Sequence, residues 1–217
     1  MKAVLLDFDG TLVDSIAPII RSYHRAFDEC DVPYPGAAAI KSHIGVGADV
    51  ILKKYASATE FDPLLAAYRR CYLAAQEAGE VRFFPHTLPS LQALTSAGLR
   101  LAIVTSKLNE FAAAFLQQEQ VPPLFELIVG AEDVTHKKPH PEPLLTAAEK
   151  LGLEPAECVY IGDTVHDGAA AQAAGMPFVG VSNGAGTAKD LAAYGPVYND
   201  LEAVSTYLLI VATANAT

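Results

Sequence analysis

Positive charge and cysteine are both scarce in this chain. Against 25 aspartates and glutamates stand 15 lysines and arginines, a formal net charge of -10. A field of that sign repels polyanions, which argues against sequence-independent binding of nucleic acid or of an anionic membrane surface. An anionic ligand would have to be met by local cations or by a metal ion. The 3 cysteines, Cys30, Cys71 and Cys158, lie far apart with no Cys-x-x-Cys pair. Neither a disulfide framework nor a zinc site is expected from that spacing, and reduced thiols in a cytoplasmic compartment are. Long apolar runs are missing as well. None approaches the roughly 20 residues of a membrane-spanning helix, and Asp7 and Asp9 break the first apolar stretch too early for a secretory signal. The tail YLLIVATANAT is too short to span a bilayer and reads as a last helix, packed on the core or on a second subunit. There is no internal repeat and no low-complexity tract beyond an alanine bias.

What is present is a large core. Of 217 residues, 51% are hydrophobic, enough for one large domain or two unequal ones. Short runs rich in Val, Ile and Leu recur at 3–7, 100–105, 126–130, 158–162 and 177–181, with little alternation, as in strands buried on both faces of a parallel sheet. Alanine-rich helical segments follow at 108–120, 141–151 and 167–174. This order predicts an α/β fold with a doubly wound parallel sheet. Residues 15–81 break the rhythm with helical patterns only, too long for a structureless loop. An inserted α-helical domain after the first strand is expected, with 1–14 and 82–217 forming the α/β core. Ligands of such sheets sit at the carboxyl ends of the strands, so the insert would hang over the site as a lid.

Four polar clusters fall at or near those strand ends: Asp7 and Asp9; Thr105-Ser106-Lys107; Lys137-Lys138-Pro139; and Gly162-Asp163-Thr164-Val165-His166-Asp167. Each alone has an ordinary structural reading as a turn, a helix cap or a solvated loop. Brought to one rim they supply carboxylates, hydroxyls and a lysine. Carboxylate oxygens suit Mg²⁺, a hard cation, and a metal would relieve the repulsion between crowded acids. A phosphate monoester could bind between the metal, Lys138 and the groups of Thr105 and Ser106, and an aspartate could attack phosphorus.

The stretches DFDGTLVDS, VTS, KKPHPEP and GDTVHD resemble, in order, the four motifs of the haloacid dehalogenase-type phosphatases. The helical insert resembles the cap of that superfamily's first subclass, and IGVGADV, FFPHT and HKKPHPEPLL are similar to phosphoglycolate phosphatases. The resemblance implies that Asp7 is the nucleophile and a metal ligand. It implies that Asp9 is the general acid and then the base, with its backbone carbonyl on the metal. Thr105 and Ser106 would bind phosphate, Lys138 would clamp it, and Asp163 and Asp167 would hold Mg²⁺. Gly10 would let the backbone approach the phosphate. The implied partner is a small phosphorylated metabolite, handled by a monomer or homodimer.

Lys137 reads as a solvated neighbour and His166 as a surface histidine. His24 and His43 fall in the insert and His86 and His140 near the hinge and the lysine loop, with His86 read as structural, and Ile16, Ile19, Ile20, Tyr23 and Phe27 read as a helical core stripe. Gly45 and Gly47 suit a flexible loop facing substrate, and Arg69 and Lys41 are candidate contacts for a substrate carboxylate. Haloacid dehalogenases and phosphonatases lack a counterpart of Asp9. β-Phosphoglucomutases carry a cap histidine and arginine where Ile19 and Ala48 stand. A pyrophosphatase, a sugar-phosphate phosphatase and a non-catalytic receiver-like domain are the other readings.

Overall fold

The computed structural model describes residues 1–214, so the last three residues of the apolar tail lie outside the described residues. Strand β1 (Ala3–Leu6) leads through β2 (Val13–Asp14) into four helices, α1 (Ile16–Glu29), α2 (Ala37–Lys41), α3 (Ala48–Lys53) and α4 (Ala58–Glu77), and the chain returns through β3 (Arg82–Phe83). Strands β2 and β3 pair antiparallel, with Val13 opposite Phe83 and Asp14 opposite Arg82, so the helices hang from a two-stranded ribbon. Helices and strands then alternate: α5 (Thr87–Ser96), β4 (Arg100–Val104), α6 (Asn109–Gln118), β5 (Phe125–Val129), α7 (Glu142–Leu151), β6 (Cys158–Gly162), α8 (Val165–Ala174), β7 (Phe178–Val181), α9 (Ala188–Leu191), β8 (Val197–Tyr198) and α10 (Leu201–Ala214).

The main sheet has the order β5-β4-β1-β6-β7-β8 and all its pairings are parallel. The chain builds outward through β4 and β5, then returns to lay β6 on the other side of β1, which makes β1/β6 the topological switch point. Leu6 is level with Ile103 and Ile161. The residues that follow the three strands, Asp7, Thr105 and Asp163, therefore leave the sheet at one rim.

Why these residues form the sheet is visible in β1. All four of its side chains are fully buried. Val4 and Leu6 join one apolar cluster with α1, α4, α5 and α10, while Ala3 and Leu5 join another with α7 and α8. A strand so enclosed needs no polar alternation. In the insert, α1 packs on α4 through Ile19, Tyr23, Ala26 and Phe27, and the rings of Tyr23 and Tyr68 stack with centroids 4.0 Å apart. The expected core stripe of α1 thus packs inward, buried at Ile19, Tyr23 and Phe27 and partly buried at Ile16 and Ile20. The expected last helix is α10, whose Leu201, Val204 and Leu208 are buried and which packs on α5 and β7.

Boundaries differ from expectation by a residue or two. Strand β1 stops at Leu6, yet the Asp7 N–H still donates to the Ile161 carbonyl at 2.9 Å, so its carboxylate stays in ladder register. Helix α8 begins at Val165 rather than 167 because Thr164 caps it. Helices α2, α5 and α9 and strand β8 were not expected; they are short or carry little contrast between faces. No helix among the described residues is long and apolar enough to cross a membrane.

Candidate active site

The site grows from the carboxyl ends of β1, β4 and β6 and from the loop ahead of α7. Asp7, Lys138, Asp163 and Asp167 are all buried, none more than 4% exposed. The Lys138 ammonium donates to Asp7 Oδ1 at 2.8 Å, to Asp167 Oδ1 at 2.6 Å and to the Tyr160 hydroxyl at 2.9 Å. Tyr160 stands in β6 below the rim and its hydroxyl also lies 2.9 Å from Asp167 Oδ1. The other Asp167 oxygen accepts from the Thr164 N–H at 2.9 Å and the Thr164 hydroxyl at 2.6 Å, the capping box that starts α8. A helix cap thus holds a site carboxylate.

Asp163 is anchored from the other side. Its Oδ1 accepts from the Thr11 hydroxyl at 3.1 Å and its Oδ2 from the Ala185 N–H at 2.7 Å. Gly10, at φ +80°, passes so close that a Cβ there would lie 2.3 Å from Asp163 Oδ2, and one on Gly184 would lie 2.1 Å from it. Only glycine suits either position. The close neighbour of Gly10 is thus a carboxylate, and the positive φ explains the residue on its own terms.

Asp7, Asp163 and Asp167 each offer an oxygen within 4.8 Å of the others. The donors are hard carboxylate oxygens, and one lysine cannot neutralise three of them, so the cluster fits a divalent cation. The charge balance is visible in the acids themselves. Burial pushes the Asp7 carboxyl up to about 7, against the pull of Lys138 and helped by Asp167 and Asp9. Burial, then Asp167 and Asp7, push Asp163 well above the carboxylate range. Burial also opposes ionisation of Asp167, but Lys138 and Thr164 overcome it and hold that carboxyl below its ordinary value. Lys138 itself is raised: burial works against its charge, and Asp167 and Asp7 outweigh it.

Acids whose folded affinity for protons exceeds the ordinary value keep protons that the unfolded chain releases near pH 4, so stability falls as pH rises through neutrality. A divalent ion that replaces those protons reverses the trend. A Mg²⁺ concentration about 100 times the Kd at pH 8 should raise the melting temperature by roughly 5–10 °C there, and the same concentration should raise it by clearly less near pH 5.5. Calorimetry that finds the same gain at both pH values would remove the ion from these carboxylates.

Asp9 sits beside the cluster in a different environment. Its Oδ1 accepts from Ser15 at 2.6 Å and from the Tyr72 hydroxyl at 3.3 Å, and its Oδ2 lies 2.7 Å from the Lys107 ammonium. That ammonium stands 3.7 Å from the centroid of the Tyr72 ring. Core and insert therefore meet on one carboxylate. Between them lies a cavity of about 90 Å³ whose wall includes Asp7, Asp9, Thr105, Ser106 and Lys107 from the core and Ile19, Tyr23, Ala48 and Arg69 from the insert.

The family model for haloacid dehalogenase-like hydrolases matches residues 4–181. The chain belongs to this family. A phosphoglycolate phosphatase from Salmonella typhimurium is 34% identical over 208 residues, 85% of this chain and 82% of that one. Among solved structures, a hydrolase from Pseudomonas syringae superposes with a TM-score of 0.86 at 26% identity, covering 96% of this chain and 98% of its own. A predicted phosphoglycolate phosphatase from Haemophilus somnus gives the same TM-score, 0.86, at 26% identity and the same coverage, 96% and 98%.

In this haloacid dehalogenase-like chain the four motif clusters converge as the topology requires, and three expectations about their neighbours need correction. Lys137 is not solvated: it pairs with Asp49 in the first turn of α3, because the insert lies over the lysine loop. His166 is half-buried rather than on the surface, under Gly45 of the insert, and burial lowers its basicity. Ile19 and Tyr23 belong to the core stripe and also face the cavity. Ser106 donates its hydroxyl to the Gly45 carbonyl at 2.6 Å, a further tie to the insert, while Lys41 is exposed and outside the cavity wall. Sequence reasoning gave no role to Lys107, Tyr160, Tyr72, Thr11 or Ser15. Of these, Lys107 had a local signal, since it directly follows Thr105-Ser106.

Proposed function

We propose that this chain is a Mg²⁺-dependent phosphoric monoester hydrolase that works through an aspartyl-phosphate on Asp7, with 2-phosphoglycolate as its substrate. Residues 15–81 act as its cap and 1–14 with 82–217 as its catalytic core, in a cytoplasmic compartment. The observation that carries the reading is the pairing of two unlike carboxylates: Asp7 on Lys138 inside the acidic cluster, and Asp9 outside it in the cavity wall. On this reading one attacks and the other moves a proton.

In the first step a carboxylate oxygen of Asp7 bonds to phosphorus as the bond to the leaving oxygen breaks, and Asp9 delivers its proton to that oxygen. In the second, Asp9 takes a proton from a water that attacks phosphorus, which releases inorganic phosphate and restores Asp7. Lys138, the Thr105 hydroxyl and the Ser106 N–H hold the phosphoryl oxygens. Mg²⁺ on Asp7, Asp163, Asp167 and the Asp9 carbonyl would supply the positive charge that lets an anionic nucleophile meet an anionic ester.

The cavity supports a small substrate. Among the described residues of its wall, Lys107 is taken by Asp9 and Lys137 by Asp49, whereas Arg69 at the rim has no ion pair. On this reading Arg69 meets the substrate carboxylate. Ile19 and Ala48 give the wall an apolar face where a sugar-handling mutase resembles this chain but carries a histidine and an arginine. Arg69→Ala should raise the KM for 2-phosphoglycolate about ten- to a hundredfold, the worth of one charged hydrogen bond. Its kcat should stay near wild type, and p-nitrophenyl phosphate, which has no carboxylate, should be cleaved as before. The wider test compares kcat/KM for 2-phosphoglycolate, pyrophosphate and sugar phosphates. If either of the latter ranks well above phosphoglycolate, the substrate is wrong and the reaction class alone survives.

A further inference from the structure

We propose that His136, His140 and Glu142 form a second cation site, for a divalent ion of the Zn²⁺ class, separate from the carboxylate cluster. The three residues bracket Lys138 on the loop that feeds it into the catalytic core. Each offers a donor atom within 4.8 Å of the other two. His136 Nδ1 lies 2.7 Å and His140 Nδ1 3.9 Å from the same oxygen, Glu142 Oε2. The two imidazole rings run side by side, with centroids 4.6 Å apart and planes inclined by 32°.

These separations can be compared with what a metal requires. Nitrogen and oxygen donors at about 2.0–2.2 Å from a tetrahedral ion stand roughly 3.3–3.5 Å from one another. The observed 2.7 and 3.9 Å fall on either side of that value, so shifts of roughly half an ångström bring both donors into place, with the ion replacing the His136 hydrogen bond to Glu142 and the Glu142 N–H that His140 Nδ1 accepts at 3.2 Å. The carboxylate is already fixed. Glu142 lies in the first turn of α7 and accepts from the Thr135 N–H at 2.7 Å and the His136 N–H at 3.0 Å, which closes the loop around it. Such backbone support for a ligating carboxylate orients it toward its ion. Both histidines are exposed, so water can complete the coordination.

The donor set separates this site from the first. Two imidazoles and one carboxylate favour Zn²⁺, Co²⁺ or Ni²⁺, whereas three carboxylates favour Mg²⁺. With a formal charge of -10 the protein also draws cations to its surface. An ion here would tie the segment ahead of Lys138 to the start of α7. It would therefore raise the stability of the loop without touching the buried lysine.

The test is calorimetric titration of Zn²⁺ into the whole protein in saturating Mg²⁺, which keeps the carboxylate cluster filled. One equivalent should bind. His136→Ala and His140→Ala should each weaken it about tenfold or more, and the double variant should abolish it with its melting temperature in Mg²⁺ unchanged, since both side chains are exposed. The proposal is overturned if no Zn²⁺ binds under these conditions, or if the double variant binds it as wild type does. Binding that survives the double variant but is lost in Asp163→Asn would assign the ion to the carboxylate cluster and likewise end the proposal.

Discussion

Asp7→Asn should give a well-folded protein that has lost turnover by on the order of 10⁴- to 10⁶-fold, the scale seen when a covalent nucleophile is removed. The substitution keeps the size and the acceptor oxygen that faces Lys138 at 2.8 Å, and it removes one negative charge from a crowded group. Burial already pushes the Asp7 carboxyl up to about 7, so near neutral pH the folded protein holds it in part as a neutral group. Replacing it by a permanently neutral amide therefore costs little in the metal-free protein. Above about pH 7 it should even raise the melting temperature, because the wild-type acid is ionised there at a cost. Asp9→Asn makes the useful comparison. On the proposed mechanism it removes proton transfer but leaves the nucleophile, and a loss of about 10²- to 10⁴-fold is expected. Rates measured on p-nitrophenyl phosphate in excess Mg²⁺, beside melting curves of both variants, check the pair. Asp7→Asn retaining more than a few per cent of wild-type turnover would place the nucleophile elsewhere.

The two variants also mark how far the sequence could be read. Asp7 and Asp163 were legible because each directly follows a run of residues buried on both faces, which a parallel sheet delivers to one rim, and Asp167 because it falls in the same cluster as Asp163. The α/β architecture followed from the order of those runs, and the family from the resemblance of DFDGTLVDS, VTS, KKPHPEP and GDTVHD to its motifs. What the sequence hid were the partners. Tyr160 looks like any core aromatic in β6, and only tertiary packing turns its hydroxyl toward Lys138, 22 positions away in the chain. Lys137 looks solvated until α3, 88 positions away, lays Asp49 against it. Thr11, Ser15 and Tyr72 are common residue types whose local context announces nothing. Charge types can be read locally, whereas the group that satisfies a charge is chosen by the fold.

Lys138→Ala should separate the structural work of the cluster from its chemistry. Its ammonium is the cation inside a group of three buried carboxylates, and its side chain is 1% exposed. Removing one partner of a buried ion pair costs about 3–5 kcal/mol, because the remaining charge is left uncompensated. For a chain of this length that is roughly 6–20 °C in melting temperature. The lysine stays charged across the whole accessible range, so the pH dependence of the loss comes from the acids. Near pH 5, Asp7, whose carboxyl burial pushes up to about 7, can take up a proton and blunt the repulsion, and it does so less near pH 8. The variant should therefore be closest to wild type in mild acid and weakest in mild alkali. Excess Mg²⁺ should restore much of the lost stability at pH 8, since a divalent ion can supply the missing charge to the same oxygens. It should not restore turnover, because the ion would then balance the carboxylates while nothing clamps the phosphoryl group from the side where the lysine stood. A variant whose stability and activity both return with Mg²⁺ would mean that Lys138 serves only to neutralise the cluster.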